Sequence, residues 1–190
     1  MNYCWTAVKP APEWTLHLAA TDAGLLRLCM ASTDEEFLAS LPPAPWKQSG
    51  RHPTLSAAAE QLREYFRGQR SDFDLKLDLR GTPFQKRIWQ CLREIPYGST
   101  WSYAQLAERA GSPRGCRAAG QANGRNPIAI IVPCHRVIAA DGSLGGFSSG
   151  LDYKIRLLAL EARSTMFSKA SSSSTTTPMR SQHNASGATN

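Results

Sequence analysis

Two helix-start signals close together constrain the fold of this chain more than any other feature. They read Thr82-Pro83-Phe84-Gln85 and Ser102-Tyr103-Ala104-Gln105, and in each the hydroxyl and glutamine side chains are spaced to cap the first turn of a helix reciprocally. The second helix is expected to end at Ala110-Gly111, and Ser112-Pro113 to start another that runs to Asn123. Two short helices joined by a tight turn containing glycine predict a helix-turn-helix.

The second helix of this pair has an unusual composition. It carries Arg114 and Arg117, but otherwise small residues such as Ala118 and Gly120. A helix that reads the major groove normally displays long polar side chains. The pattern therefore leaves two interpretations open, a close and weakly sequence-specific fit against DNA or a helix whose small face packs on its neighbour.

A cysteine motif follows the predicted helix pair. The apolar run 128–132 predicts a buried strand or extended segment that leads into Pro133-Cys134-His135-Arg136. Basic neighbours could favour the nucleophilic thiolate, but consecutive side chains need not face each other, so the motif taken alone favours a buried inert cysteine. A glycine-rich stretch at 142–150 and a last helix from Leu151 to Glu161 come next.

The first 81 residues predict a small α/β unit. Apolar residues alternate around a turn at 22–24, which indicates a β-hairpin. The further expected elements are a helix start at Thr33, a loop at 42–53, a helix at 55–67 and a half-buried strand at 73–79.

The charge is distributed unevenly along the chain. Of 22 Lys and Arg and 15 Asp and Glu, which give a net charge of +7, residues 82–163 hold eleven basic and five acidic side chains, whereas residues 1–81 are nearly neutral. A positive field of this kind suits a polyanionic partner, although basic side chains also serve solubility.

Composition excludes several classes of protein. No apolar run is long enough for a transmembrane helix. Five cysteines without a C-x-x-C pair argue against a disulfide scaffold or a zinc ribbon and fit a reducing compartment, so a cytoplasmic location is expected. Residues 164–190 contain eight Ser and five Thr and predict a disordered tail. The expected division is 1–81, 82–163 and this tail.

The segment from Asn126 through Pro133-Cys134-His135-Arg136-Val137-Ile138 resembles the signature of the O6-alkylguanine-DNA alkyltransferases, also called methylated-DNA–protein-cysteine methyltransferases. The resemblance includes Ser102-Tyr103 and Gly145-Gly146-Phe147; it is specific from Thr82 to Glu161 and diffuse before that. It implies an N-terminal α/β domain, with a small ribonuclease H-like antiparallel sheet and a helix. It also implies a mainly α C-terminal domain with a winged helix-turn-helix.

The family resemblance also implies a reaction. The family transfers an alkyl group from O6 of guanine in DNA irreversibly to a cysteine, one group per chain and without a cofactor, and it flips the base out of the duplex first. O6-methylguanine is the main expected lesion and O4-methylthymine a further one. Cys134 matches the acceptor, His135 and Glu161 a proton relay, Tyr103 a donor to the departing guanine, and Asn126 a residue that fixes the turn before the cysteine.

Other positions match the family's contacts with DNA and with the alkyl group. Arg117 matches an arginine that enters the base stack. The implied partner is double-stranded DNA, which the protein approaches as a monomer through the minor groove with weak sequence preference. The remaining expected DNA-binding residues are Arg114, Ser102, Ala118, Gly120, Arg125 and Arg136. The expected pocket residues are Val137, Phe147, Ser148 and Ser149.

Two departures from the family pattern are visible. Phe147 stands where the family commonly has tyrosine, and Ser149 stands where glycine is usual, which predicts narrower access for large O6 groups. Cys4, Cys29 and His52 lack the spacing of a zinc site, so no metal is expected.

Three alternative functions remain. A protein that binds alkyl lesions without repairing them would lack the acceptor cysteine, which is present here. A helix-turn-helix regulator would need an effector domain, which the sequence does not indicate. A cysteine hydrolase normally has its Cys and His far apart in sequence, whereas Cys134 and His135 are adjacent.

Overall fold

The N-terminal part of the chain is a four-stranded sheet with a helix on each face. The computed structural model describes residues 2–30 and 33–172, and of residues 165–172 it gives only the helical backbone. The elements are β1 (Cys4–Ala11), β2 (Trp14–Thr21), β3 (Gly24–Met30), α1 (Asp34–Ala39), β4 (Lys47–Gln48) and α2 (Pro53–Phe66). The strand order is β3-β2-β1-β4, in which β1, β2 and β3 are antiparallel and β4 runs parallel to β1.

Strand β2 is central because both of its faces are covered. Leu16 and Leu18 are fully buried in the main core together with Leu62 of α2. On the opposite face Ala19 packs in a second, smaller cluster with Phe37 of α1. Helix α1 starts as expected, with a capping box at Thr33.

The C-terminal part is mainly helical and contains the predicted helix-turn-helix. Both expected capping boxes form, at Thr82 and at Ser102. Helices α4 and α5 form the helix-turn-helix, and the short parallel strands β5 and β6 lie beside it. The elements are α3 (Pro83–Leu92), β5 (Trp101–Ser102), α4 (Tyr103–Arg109), α5 (Cys116–Gly124), a 3-10 turn (Cys134–Arg136), β6 (Val137–Ile138) and α6 (Leu151–Ser172).

One continuous core joins the two parts. The main cluster contains residues of β2, α2, α3 and the segment 128–132. Within the C-terminal part, the Trp89 indole donates a hydrogen bond to Ala122 O at 2.9 Å. Between the two parts, Leu28 of β3 donates its backbone N–H to Pro127 O at 2.9 Å. The loop before the cysteine motif is therefore anchored to the sheet.

Two expectations for the N-terminal part need correction, and one strand was not predicted. The segment 73–79 alternates in burial as predicted, but only Leu77 pairs, in an isolated bridge to Leu25, so the segment is extended without being a strand. The predicted loop 42–53 contains β4. Strand β1 had no clear sequence signal, because Lys9-Pro10 interrupts its pattern.

Corrections in the C-terminal part concern helix and strand ends. Helix α5 begins at Cys116, since Gly115 donates its N–H to Ser112 O and closes a turn before the helix. The buried run 128–132 is a turn, not a strand. Helix α6 continues to Ser172, so disorder from residue 164 is wrong up to that point, and residues 173–190 lie outside the described residues. Within the described part, no helix is long and apolar enough to cross a membrane.

Gly24 at the start of β3 offers a test of this packing. Its φ is +138°, and an added Cβ would lie 2.4 Å from Lys76 O, in the segment that bridges to β3. We expect Gly24→Ala to lower the free energy of unfolding by about 3 kcal/mol, through backbone strain and the displaced segment. Gly111→Ala is the matched control, because its φ is +70° but nothing lies within 4 Å of an added Cβ. Urea unfolding should show a loss of only about 1 kcal/mol for the control; equal losses would contradict the close contact.

Candidate active site

Cys134 begins the 3-10 turn at the end of a tightly shaped segment. Its side chain is buried, and its backbone N–H donates to Val132 O at 2.8 Å. Asn126 shapes the approach, because its Nδ2 donates to Val132 O at 2.7 Å and its Oδ1 accepts from Ile128 N at 3.1 Å. Ile130 has φ +71°, which a β-branched residue rarely adopts. The sequence therefore holds the cysteine on a strained and over-determined loop.

The Cys134 thiol is protonated in its resting environment. Burial raises the pKa of the thiol, and the hydrogen bond with the Asn126 side chain and the positive charge of Lys154 oppose that rise. A buried thiol is a weak nucleophile until its proton is removed. The site therefore needs a base close to the sulfur.

His135 is the residue next to Cys134 in the chain, and its imidazole lies inside the protein. It is fully buried, and its Nε2 lies 2.8 Å from Glu161 Oε1. Burial lowers the pKa of the imidazole, against the opposing effect of the Glu161 carboxylate, so the ring is neutral near pH 7. Because Nε2 then carries the proton that is donated to Glu161, the buried Nδ1 is an acceptor, and it makes no hydrogen bond within the described residues.

The Glu161 carboxylate is the centre of a buried network. Oε1 accepts from the Tyr65 hydroxyl at 2.7 Å and from Arg136 Nη2 at 2.9 Å, and Oε2 accepts from Gly98 N at 3.0 Å. Burial alone would raise the pKa of this carboxyl. The hydrogen bonds from His135 and Arg136, together with the positive charge of Arg136, outweigh burial and lower the pKa to about 2. The carboxylate is thus ionised and holds the imidazole in one tautomer.

Arg136 is not available to DNA, which corrects the expectation from the sequence. Its side chain is buried, ion-paired with Glu161, and donates through Nη1 to Ile95 O at 2.6 Å. Sequence reasoning also missed Tyr65 and Asn123. Tyr65 lies on the apolar face of α2, where periodicity indicates only core, and Asn123 is a buried residue whose Oδ1 has no hydrogen bond within the described residues.

A cavity of about 390 Å³ opens onto the cysteine. Tyr103 forms one wall of the cavity. Its hydroxyl lies close to the glycine-rich segment 142–150, here called the lid, because a Cβ added at Gly145 would be 2.8 Å from the hydroxyl oxygen. Burial raises the pKa of the Tyr103 phenol, as does the negative charge of a Cys134 thiolate, so the phenol can serve as a proton donor. The lining residues are Tyr103, Gly120, Asn123, Gly124, Cys134, Gly146, Phe147 and Ser148.

Two expected pocket residues do not line this cavity. Val137 is fully buried in β6, and Ser149 is half-buried one position beyond the wall formed by Phe147 and Ser148. A role of Val137 and Ser149 at the pocket stays a prediction, whereas the expected pocket residues Phe147 and Ser148 line the cavity. Lys154 holds the lid in place, since its buried Nζ donates to Val137 O at 2.6 Å and to Leu144 O.

The predicted DNA-binding positions other than Arg136 lie on or beside α5. Arg114, Arg117, Ala118 and Arg125 are exposed. Ser102 uses its hydroxyl to accept from Gln105 N at the start of α4, and Gly120 faces the Tyr103 ring. Helix α5, on or beside which these exposed cations lie, also contributes Gly120, Asn123 and Gly124 to the cavity wall.

Fold and site together define a class of protein: a two-part helix-turn-helix protein in which a cavity of about 390 Å³ opens onto a buried cysteine that is followed by a histidine in a buried His–Glu pair. Family models match both parts of the chain. Residues 83–163 match "6-O-methylguanine DNA methyltransferase, DNA binding domain", and residues 6–79 match "6-O-methylguanine DNA methyltransferase, ribonuclease-like domain".

Individual relatives agree with the family models. The methylated-DNA–protein-cysteine methyltransferase of Mycolicibacterium paratuberculosis is 48% identical over 153 residues, or 80% of this chain and 89% of the relative. The constitutive enzyme of Bacillus subtilis is 41% identical over 168 residues, 85% of this chain and 96% of the relative. The crystal structure of Mycobacterium tuberculosis OGT in complex with DNA superposes with a TM-score of 0.74 at 42% identity, covering 85% of this chain and 94% of that chain.

The chain belongs to the 6-O-methylguanine DNA methyltransferase family. It is a DNA repair enzyme of the methylated-DNA–protein-cysteine methyltransferase type. The family resemblance, the two-part fold and the helix-turn-helix expected from the sequence are confirmed.

The lowered pKa of Glu161 predicts how stability depends on pH. A carboxyl that titrates at about 2 when folded and at 4.5 when unfolded stabilises the folded state above pH 4.5. That stabilisation, about 3 kcal/mol, is lost as the pH falls from 4.5 toward 2. Urea unfolding of Glu161→Gln should show a much flatter decline over this interval, whereas Glu108→Gln, an exposed acid, should follow wild type. Parallel curves for wild type and Glu161→Gln would contradict the paired carboxylate.

Proposed function

We propose that Cys134 is the alkyl acceptor and that the other residues of the site serve its deprotonation and the departure of guanine. The observation that carries this is the relay itself, in which a neutral, buried imidazole is fixed by Glu161 at 2.8 Å with its Nδ1 left as an acceptor. Such an imidazole is a general base poised to activate a thiol. The soft sulfur then attacks the saturated carbon of the alkyl group.

The proposed reaction conserves atoms and protons. The thiol proton passes through an intervening water to Nδ1 of His135, and the S–C bond forms as the C–O6 bond breaks. The guanine that departs carries the negative charge, which the protonated Tyr103 phenol stabilises by hydrogen bonding until the base is reprotonated. The net change is that guanine gains the proton that Cys134 loses. The thioether product is stable, so each chain reacts once.

The proposed mode of DNA binding rests on α5. Arg114, Arg117 and Arg125 are exposed on or beside a helix of small residues, which allows close approach to the minor groove with little base-specific contact. Arg117 enters the stack and its planar guanidinium occupies the space of the flipped nucleotide. The protein acts as a monomer, in the compartment that holds the chromosome, on O6-methylguanine and also on O4-methylthymine.

The acceptor assignment can be tested by following the label. A duplex that carries O6-methylguanine labelled in the methyl group should transfer one equivalent to the peptide containing Cys134. Cys134→Ala should abolish transfer, while Cys91→Ala, which removes another buried cysteine, should leave one equivalent on Cys134. Label on a different cysteine, or turnover continuing well past one equivalent, would refute the assignment.

The two arginines of the DNA-binding surface should differ in their effects. Arg117→Ala should slow methyl transfer from duplex DNA by roughly 100-fold and leave transfer from the free base O6-benzylguanine unchanged, because only the duplex requires extrusion of the base. Arg114→Ala should instead weaken duplex binding and reduce the slope of log K against log salt by about one, as expected for a lost phosphate contact. Single-turnover rates and binding titrations at several salt concentrations measure both. Identical effects of the two substitutions would contradict a separate role for Arg117.

A further inference from the structure

Tyr65 connects the N-terminal sheet domain to the proton relay of the C-terminal domain. It lies on α2, is fully buried, and donates its hydroxyl proton to Glu161 Oε1 at 2.7 Å. This is the same oxygen that receives the His135 Nε2 proton at 2.8 Å. The two donors therefore share one acceptor atom.

From this shared oxygen we infer that Tyr65 is a positioning residue of the alkyl-transfer reaction, which sets the basicity of His135 through Glu161. The inference rests on the proposed role of His135 as the base. A hydrogen bond from a phenol withdraws charge from a carboxylate oxygen, and this weakens what the same oxygen can offer the imidazole. Tyr65 thereby keeps His135 a moderate base that remains neutral at physiological pH.

The other charged and titratable groups around the relay are fixed by contacts of their own. Arg136 contributes a cation from the 3-10 turn, and its guanidinium lies 5.6 Å from the Tyr97 ring centroid. Tyr97 also contacts the Tyr65 ring, at 5.9 Å between centroids. Lys154 of α6 interacts electrostatically with both His135 and the Cys134 thiol.

The geometry separates Tyr65 from an ordinary core residue. Its ring packs in the main core against Phe66, Phe73 and Tyr97, and a phenylalanine would preserve all of that packing. Only the hydroxyl reaches Glu161. Burial and the neighbouring Glu161 raise the pKa of the Tyr65 phenol well above its ordinary value, so the hydroxyl remains a donor throughout the working pH range.

The test is the pH dependence of single-turnover alkyl transfer at saturating O6-benzylguanine, since a free base avoids changes in DNA binding. Transfer requires neutral His135, so the rate falls as the pH drops through its pKa. Loss of the phenol hydrogen bond in Tyr65→Phe raises that pKa, and we expect the midpoint of the acid limb to move upward by about one pH unit. At a pH below the midpoint, this corresponds to roughly tenfold slower transfer.

Two further proteins make the result specific. Tyr153→Phe is the matched control. Tyr153 is a half-buried tyrosine of α6 that packs on Trp14 of the sheet domain, at 5.2 Å between ring centroids. The acid-limb midpoint of this variant should stay at the wild-type value. 3-Fluorotyrosine incorporated at position 65 is a stronger donor that retains the ring and the hydroxyl. It should move the midpoint downward, opposite to Tyr65→Phe.

The outcomes are distinguishable. Opposite shifts of the midpoint for Tyr65→Phe and fluorotyrosine support the inference. An unmoved midpoint in a Tyr65→Phe protein of wild-type thermal stability overturns it. An equal shift of the midpoint in Tyr153→Phe also overturns it. If Tyr65→Phe fails to fold, an unmoved midpoint for the fluorotyrosine protein overturns the inference by itself. A wild-type chain that transfers no alkyl group would overturn the proposed function and this inference together.

Discussion

The buried carboxylate of Glu161 is the interaction on which both the fold and the site depend. An ionised carboxylate removed from water is stable only if its oxygens are matched by donors and by an opposite charge. Here the donors come from α2, from the loop at Gly98 and from the 3-10 turn, while Glu161 itself lies on α6. These segments are distant in sequence. They come together around Glu161 because its buried negative charge is stable only when donors from all of them surround it. The position of the His135 imidazole is therefore a consequence of how the two halves of the chain assemble.

The network also resolves a conflict between orientation and basicity. A lone carboxylate beside His135 would hold the ring well but would raise its pKa and favour the protonated form, which cannot accept the thiol proton. Arg136 neutralises the same carboxylate, and its positive charge, like burial, lowers the pKa of His135. The arginine of the cysteine motif thus acts on His135 from within the protein, although the family resemblance had placed it among the DNA-binding residues.

Local signals in the sequence predicted local structure well. The capping boxes at Thr82 and Ser102 form because each is satisfied within a single turn. Predictions went wrong where tertiary contacts decide the conformation. The apolar run 128–132 is hydrophobic enough for a strand, but the Asn126 side chain bonds both ends of it and closes a turn. Tyr65 was indistinguishable from a core residue, because periodicity reports which face is buried and not what a buried hydroxyl meets.

The small residues that left two interpretations of α5 open serve packing and approach together. Ala119 and Ala122 are buried against the rest of the helix-turn-helix, whereas Arg117 and Ala118 are exposed. At the cavity, Gly145 has φ +63° and its backbone lies against the Tyr103 hydroxyl, where any larger residue would collide with the phenol. The backbone of Gly146, the next residue, opposes the rise in the pKa of this phenol. The backbone at 145–146 and the Tyr103 phenol therefore lie in close contact, and this contact shapes one wall of the cavity that opens onto Cys134.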